Sequence, residues 1–110
     1  MNTIKYDDFA KLDLRTAVVV EAKPHPNADK LLVLKVRLGV DDERQIVAGI
    51  RKHYAVEDLV GKNIIVVANL EPVILRGEPS HGMLLAASDA NSNLSLLTLD
   101  RGLTSGCKVG

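Results

Sequence analysis

The chain has 110 residues, 14 basic against 14 acidic side chains, and 46% hydrophobic content. That suits one packed domain spanning residues 1–110 and excludes a disordered chain. A formal net charge of zero argues against indiscriminate polyanion binding, which draws on a basic excess, and leaves room for a local basic patch. The single cysteine, Cys107, excludes an internal disulfide and a multi-cysteine zinc site. Aromatic residues make up 3% of the chain and Trp is absent, so the core must be aliphatic. The first ten residues hold Asp7 and Asp8 and no apolar signal region. No apolar run approaches the ~20 residues of a membrane span. A soluble, cytoplasmic protein with no membrane partner is expected.

Residues 4–11 predict a short helical turn, with Tyr6, Phe9 and Ala10 on one face. Arg15 to Ala22 carries Ala17-Val18-Val19-Val20, a β-branched strand signal that Pro24 and Pro26 then interrupt. Lys30 to Leu38 alternates Leu32, Leu34, Val36 and Leu38 with Val33, Lys35 and Arg37, the period-2 pattern of a strand. A turn at Gly39-Val40-Asp41-Asp42-Glu43 leads into a return strand from Arg44 to Ile50. His53 to Val60 predicts a helix stopped by Gly61. Strands follow at Asn63–Ala68, Gly82–Ser88 and Leu94–Leu99, and Lys108-Val109 begins a last one. Five or six strands with one helix between the third and fourth predict an all-β fold. Its expected form is a five-stranded Greek-key oligonucleotide/oligosaccharide-binding barrel with short terminal extensions.

Two polar segments interrupt this pattern: His25-Pro26-Asn27-Ala28-Asp29-Lys30 and Arg76-Gly77-Glu78-Pro79-Ser80-His81-Gly82-Met83. Each mixes cations, amides or hydroxyls with residues that let backbone approach a partner closely. Singly, every feature has a bland explanation. Asn27 and Asp29 form Asx turns, Arg76 covers apolar surface with its stem, and Met83 is core. Concentrated in two loops of one sheet, they predict a binding surface. Catalysis is not expected, because Ser80 and His81 are adjacent in line, Cys107 has no evident base, and no glycine-rich phosphate cradle occurs. No cofactor is expected, and His25, Asp29 and His81 fit no metal spacing. Tyr6, Phe9 and Tyr54 all fall off the strand faces, which disfavours base-stacking single-strand binding and favours a folded RNA read by shape.

The chain resembles the tRNA-binding domain found at the carboxyl end of methionyl-tRNA synthetases and as freestanding structure-specific tRNA-binding proteins. The likeness rests on Asp13-Leu14-Arg15, on His25 through Leu31, and on Gln45-Ile46-Val47-Ala48-Gly49-Ile50. It continues through Ala68-Asn69-Leu70-Glu71-Pro72 and Arg76 through Ala86. The resemblance implies the same barrel, a homodimer, assistance to an aminoacyl-tRNA synthetase, and tRNA contacts at Asn27, Lys30, Ser80 and Met83. Arg76 and His81 occupy matching motif positions. Thr16-Ala17 stands where the family often has Val-Gly, and Glu71 where lysine is common. A dimeric, peptide-binding, chaperone-like export protein shares the barrel but lacks both the His-Pro-Asn-Ala-Asp-Lys loop and the Ser-His-Gly-Met sequence. A module that assembles synthetase complexes is the third expectation.

Overall fold

The computed structural model describes residues 1–110. In chain order its elements are α1 (Tyr6–Ala10), β1 (Leu14–Pro24), β2 (Leu32–Arg37), β3 (Glu43–Ala48), α2 (Val56–Leu59) and β4 (Asn63–Val67). They continue with β5 (Val73–Leu75), β6 (Glu78–Ser80), β7 (Met83–Leu84), β8 (Ala86–Ser88), β9 (Leu94–Leu96) and β10 (Lys108–Val109).

β1 organises the barrel because it is long enough to serve two partners. Its first half, Leu14 to Val18, pairs antiparallel with β4, and its second half, Val18 to Pro24, pairs with β2. The register shifts between Val19 and Glu21, a bulge that adds the local twist a strand needs to pass from one wall to the next. The sheet runs β3-β2-β1-β4-β7. Closure between its two edges comes from hydrogen bonds outside the ladder. His81 N–H donates to the Gln45 carbonyl at 2.9 Å, and Val47 N–H donates to Ser80 Oγ at 3.0 Å. Five strands thus close, with α2 between the third and fourth, as expected.

The core is aliphatic. Leu32, Leu34, Ile46, Leu59, Ile64 and Val66 are almost wholly buried, and Leu59 delivers α2 into that cluster. Lys35 and Arg37 on the opposite face of β2 remain exposed, which the alternation in the sequence foretold.

The structure corrects several details, and the strands expected to reach Ile50 and Leu99 end at Ala48 and Leu96. The expected strand from Lys30 begins at Leu32, because Lys30 and Leu31 are drawn into the preceding turn. The helix expected from His53 is confined to Val56–Leu59. The segment expected as Gly82–Ser88 divides at Leu85, where its N–H turns to Ile65 and its carbonyl accepts from Leu97. The stretch before it is no open loop but the hairpin β5–β6, in which Ile74 pairs with Pro79. Arg76 and Gly77 both take left-handed dihedrals, φ 53° and 91°, the twist that a two-residue hairpin turn requires.

Leu96 lies in the barrel's own core, and its N–H donates to the Tyr54 hydroxyl at 3.0 Å. At the other end, Ile4, Tyr6 and Leu12 are exposed and no residue of α1 is buried.

Candidate nucleic-acid interface

Residues 25–30 and the tip of the β5–β6 hairpin lie fifty positions apart, and His25 ties them together. Its ring is 3% exposed. Nδ1 accepts the Asn27 N–H at 2.9 Å, so the proton sits on Nε2, which donates to the Leu75 carbonyl at 2.9 Å. Both ring nitrogens are engaged in this latch. From the hairpin, the Arg76 guanidinium reaches back and donates to the Asn27 carbonyl through Nε at 3.3 Å and Nη2 at 3.1 Å. A third tie comes from the turn that follows β3. Arg51 N–H donates to the Lys30 carbonyl and its Nη1 to the Ala28 carbonyl. The first polar loop is therefore held by backbone contacts from two sides.

This arrangement decides which side chains face outward. Asn27 and Lys30 are exposed, and neither the Asn27 side-chain amide nor the Lys30 ammonium has a protein partner. Met83 is 46% exposed on β7, which removes the core explanation for it. His81 is exposed and borders a cleft of about 400 Å³ with Arg44, Gln45 and Pro72. Ser80 differs. At 2% exposure its hydroxyl accepts from Val47 N–H and donates to the Gly82 carbonyl at 3.0 Å. It closes the barrel directly beneath the site, with no free lone pair facing solvent. Arg76 divides its work between the latch and the surface.

Charge is balanced overall but not evenly spent. On the β2–β3 face, Lys35 pairs with Glu21 and Glu43, and Arg37 pairs with Glu43. Arg44 donates to Asp42, which holds the Asp42 carboxyl below its ordinary value; partial burial opposes this, and the attraction of the Arg44 charge adds to it. Around the polar loops, Lys30, Arg51, Lys52 and Arg76 form no ion pair with any carboxylate. Asp29 and Glu78 lie among them and are likewise in no ion pair, so four cations against two carboxylates give this face a modest positive excess.

Sequence reasoning did not single out His25, Gln45 and Arg51 as site builders. Gln45 donates to the Pro79 carbonyl at 2.8 Å and helps seat the hairpin on β3. The signal for His25 was its place within the loop, but its partner at Leu75 lies too far along the chain to be read from spacing.

The tRNA-binding-domain family model matches residues 14–108. The chain is 52% identical over 109 residues to the methionine–tRNA ligase of Pyrococcus horikoshii, a match covering 99% of this chain and 15% of that protein. It is 56% identical over 108 residues to that of Thermotoga maritima, covering 98% and 17%. Among solved structures it is similar to a methionyl-tRNA-synthetase-related protein from Pyrococcus horikoshii, with a TM-score of 0.93, 32% identity and full coverage of both chains. It is also similar to the chaperone CsaA from Bacillus anthracis, with a TM-score of 0.89, 29% identity, and coverage of 99% and 100%. The chain spans about one-seventh of the ligases it matches.

Proposed function

Since the chain belongs to the tRNA-binding domain family, we propose that it binds folded tRNA by shape through the surface latched by His25 and Arg76. Asn27, Lys30 and Met83 make the contacts, Arg76 and His81 flank them, and Ser80 supports them from below. The observation that carries this reading is the pair of free groups, the Asn27 amide and the Lys30 ammonium, fixed on a loop whose own backbone bonds are all directed inward. Such groups suit phosphates and 2′-hydroxyls, which a folded RNA presents in a fixed arrangement. The protein catalyses nothing itself and assists aminoacylation, as part of a methionine–tRNA ligase or beside one.

An electrophoretic shift with total tRNA tests this, with single-stranded DNA of matched length as competitor. Binding should favour tRNA and weaken steeply with salt, by a slope of about 0.7–0.9 per neutralised phosphate. Equal affinity for the DNA would sink the shape reading. The structural likeness to the chaperone CsaA favours a second reading, peptide binding. An unfolded peptide that competes with tRNA at equal concentration would support it.

A further inference from the structure

Beside the latched loops lies an apolar cleft of about 290 Å³, formed by the end of β3 at Val47 to Gly49, by Val73 and Leu75 of the hairpin, and by Met83. We propose that this cleft receives one unpaired base of a bound tRNA, seated against Met83 and Val73. The inference rests on the tRNA-binding reading and deepens it by naming the part of the RNA that enters.

Position supports a nucleotide as the occupant. The Leu75 carbonyl forms part of the latch to His25, so the cleft and the polar loops are one continuous surface. Cations lie close in the chain to two lining residues: Arg76 directly after Leu75, and Arg51 two positions past Gly49. Leu70, which also lines the cleft, is followed by Glu71. A nucleotide entering the cleft therefore finds a polarity, with its phosphate drawn toward the arginines of the loops and repelled by Glu71.

Composition supports a base. Leu70, Val73 and Met83 are 45%, 47% and 46% exposed around one concavity, which is more apolar surface than their barrel needs to display. Its volume is at the small end of ligand pockets, about 300 Å³ and upward. None of the three aromatic residues is available there. Tyr6 and Phe9 pack on each other in α1, and Tyr54 bonds Leu96 on another side of the barrel. The face of a base would meet the polarizable thioether of Met83 instead, a contact that tolerates any base. Paired stems keep their bases stacked within the helix, so only an extruded or loop base can enter. The cleft thus adds a reason for preferring folded tRNA to duplex.

The test uses Val73→Ser and Met83→Gln, both neutral changes at half-exposed positions, alone and combined. Filter binding over a salt series is run for tRNA and for a blunt RNA duplex, with thermal melts alongside. The combined variant should bind tRNA roughly tenfold more weakly, by the usual scale of base contacts. Its salt slope, its melting temperature and its weak duplex binding should stay unchanged. Unaltered tRNA affinity would overturn the proposal, as would an equal loss on the duplex. So would a variant that keeps tRNA but loses an extended apolar peptide or its self-association, since the cleft would then belong to that occupant. A wild-type protein that fails to bind tRNA would overturn the functional reading and this one together. A wild type that binds, with indifferent variants, overturns this one alone.

Discussion

Ser80 and Lys30 come from the same family motifs, yet their surroundings give them opposite duties. Removing the Ser80 hydroxyl orphans the buried Val47 N–H that it accepts from. Ser80→Ala should therefore cost about 1–3 kcal/mol of folding stability, the usual penalty for an unmet buried donor. A thermal or urea melt checks it, and an unchanged melt would mean that the Val47 N–H finds another partner. Lys30→Ala should leave the melt in place, since no protein group depends on that ammonium. Its effect belongs in binding: weaker tRNA affinity, and a salt slope reduced by nearly one. Asp42 supplies a pH signature. Its carboxyl is held below the ordinary 3.8 chiefly by the Arg44 hydrogen bond, so the pair stabilises the fold above that value and the contribution disappears as acid titrates the folded carboxylate. The stability difference between wild type and Arg44→Gln should be full near neutrality and narrow as pH falls below 3.8. A gap that widened in acid would contradict this.

The strands of the barrel were legible because each carries its own pattern. Leu34 and Val36 alternate with exposed Lys35 and Arg37, although Val33 is buried as well, and Ile64 to Val67 is a continuous apolar run. The β5–β6 hairpin was not legible. Its turn is Arg76-Gly77 where Asn-Gly would be the plain signal, and a left-handed Arg is tolerated only because tertiary bonds to Asn27 hold it there. The site divided likewise. Asn27, Lys30, Arg76, His81 and Met83, the candidates that type, place and resemblance suggested, are all exposed, whereas the burial of Ser80 depends on contacts some thirty residues away. The departure at Thr16 also has a use that no local pattern shows. Its buried hydroxyl donates to the Thr104 carbonyl at 3.1 Å and accepts Cys107 N–H at 2.9 Å, clasping the segment that leads into β10 against β1. Thr16→Val keeps the shape and strands the Cys107 N–H, so it should lower stability by about 1–3 kcal/mol. Urea unfolding is the measurement, and no change in midpoint would mean the tail is held by backbone pairing alone.

At the scale of the whole molecule, a homodimer is the arrangement we propose for solution. The apolar surface of Ile4, Tyr6, Phe9 and Leu12, with Leu97 and Leu103, is left to water by a single chain. Leu96 is no part of that surface, because it fills its own barrel. Two-fold pairing would cover α1 and give one bulky RNA two copies of the latched surface. Sedimentation equilibrium should report twice 11.9 kDa, and Tyr6→Lys should shift it toward one. A wild-type mass of 11.9 kDa, unmoved by concentration, would refute pairing.

The latch has a further consequence in time. The His25 to Leu75 bond closes a span of fifty residues, and the hairpin that carries Leu75 is seated through bonds between β3 and Ser80 and His81. Long-range pairings of this kind come late, because loop closure must precede the contacts that reward it. A chain emerging from synthesis therefore carries Asn27 and Lys30 long before it can aim them. The groups proposed to grip RNA become one surface only when the barrel has closed, so an unfinished copy is expected to hold tRNA weakly.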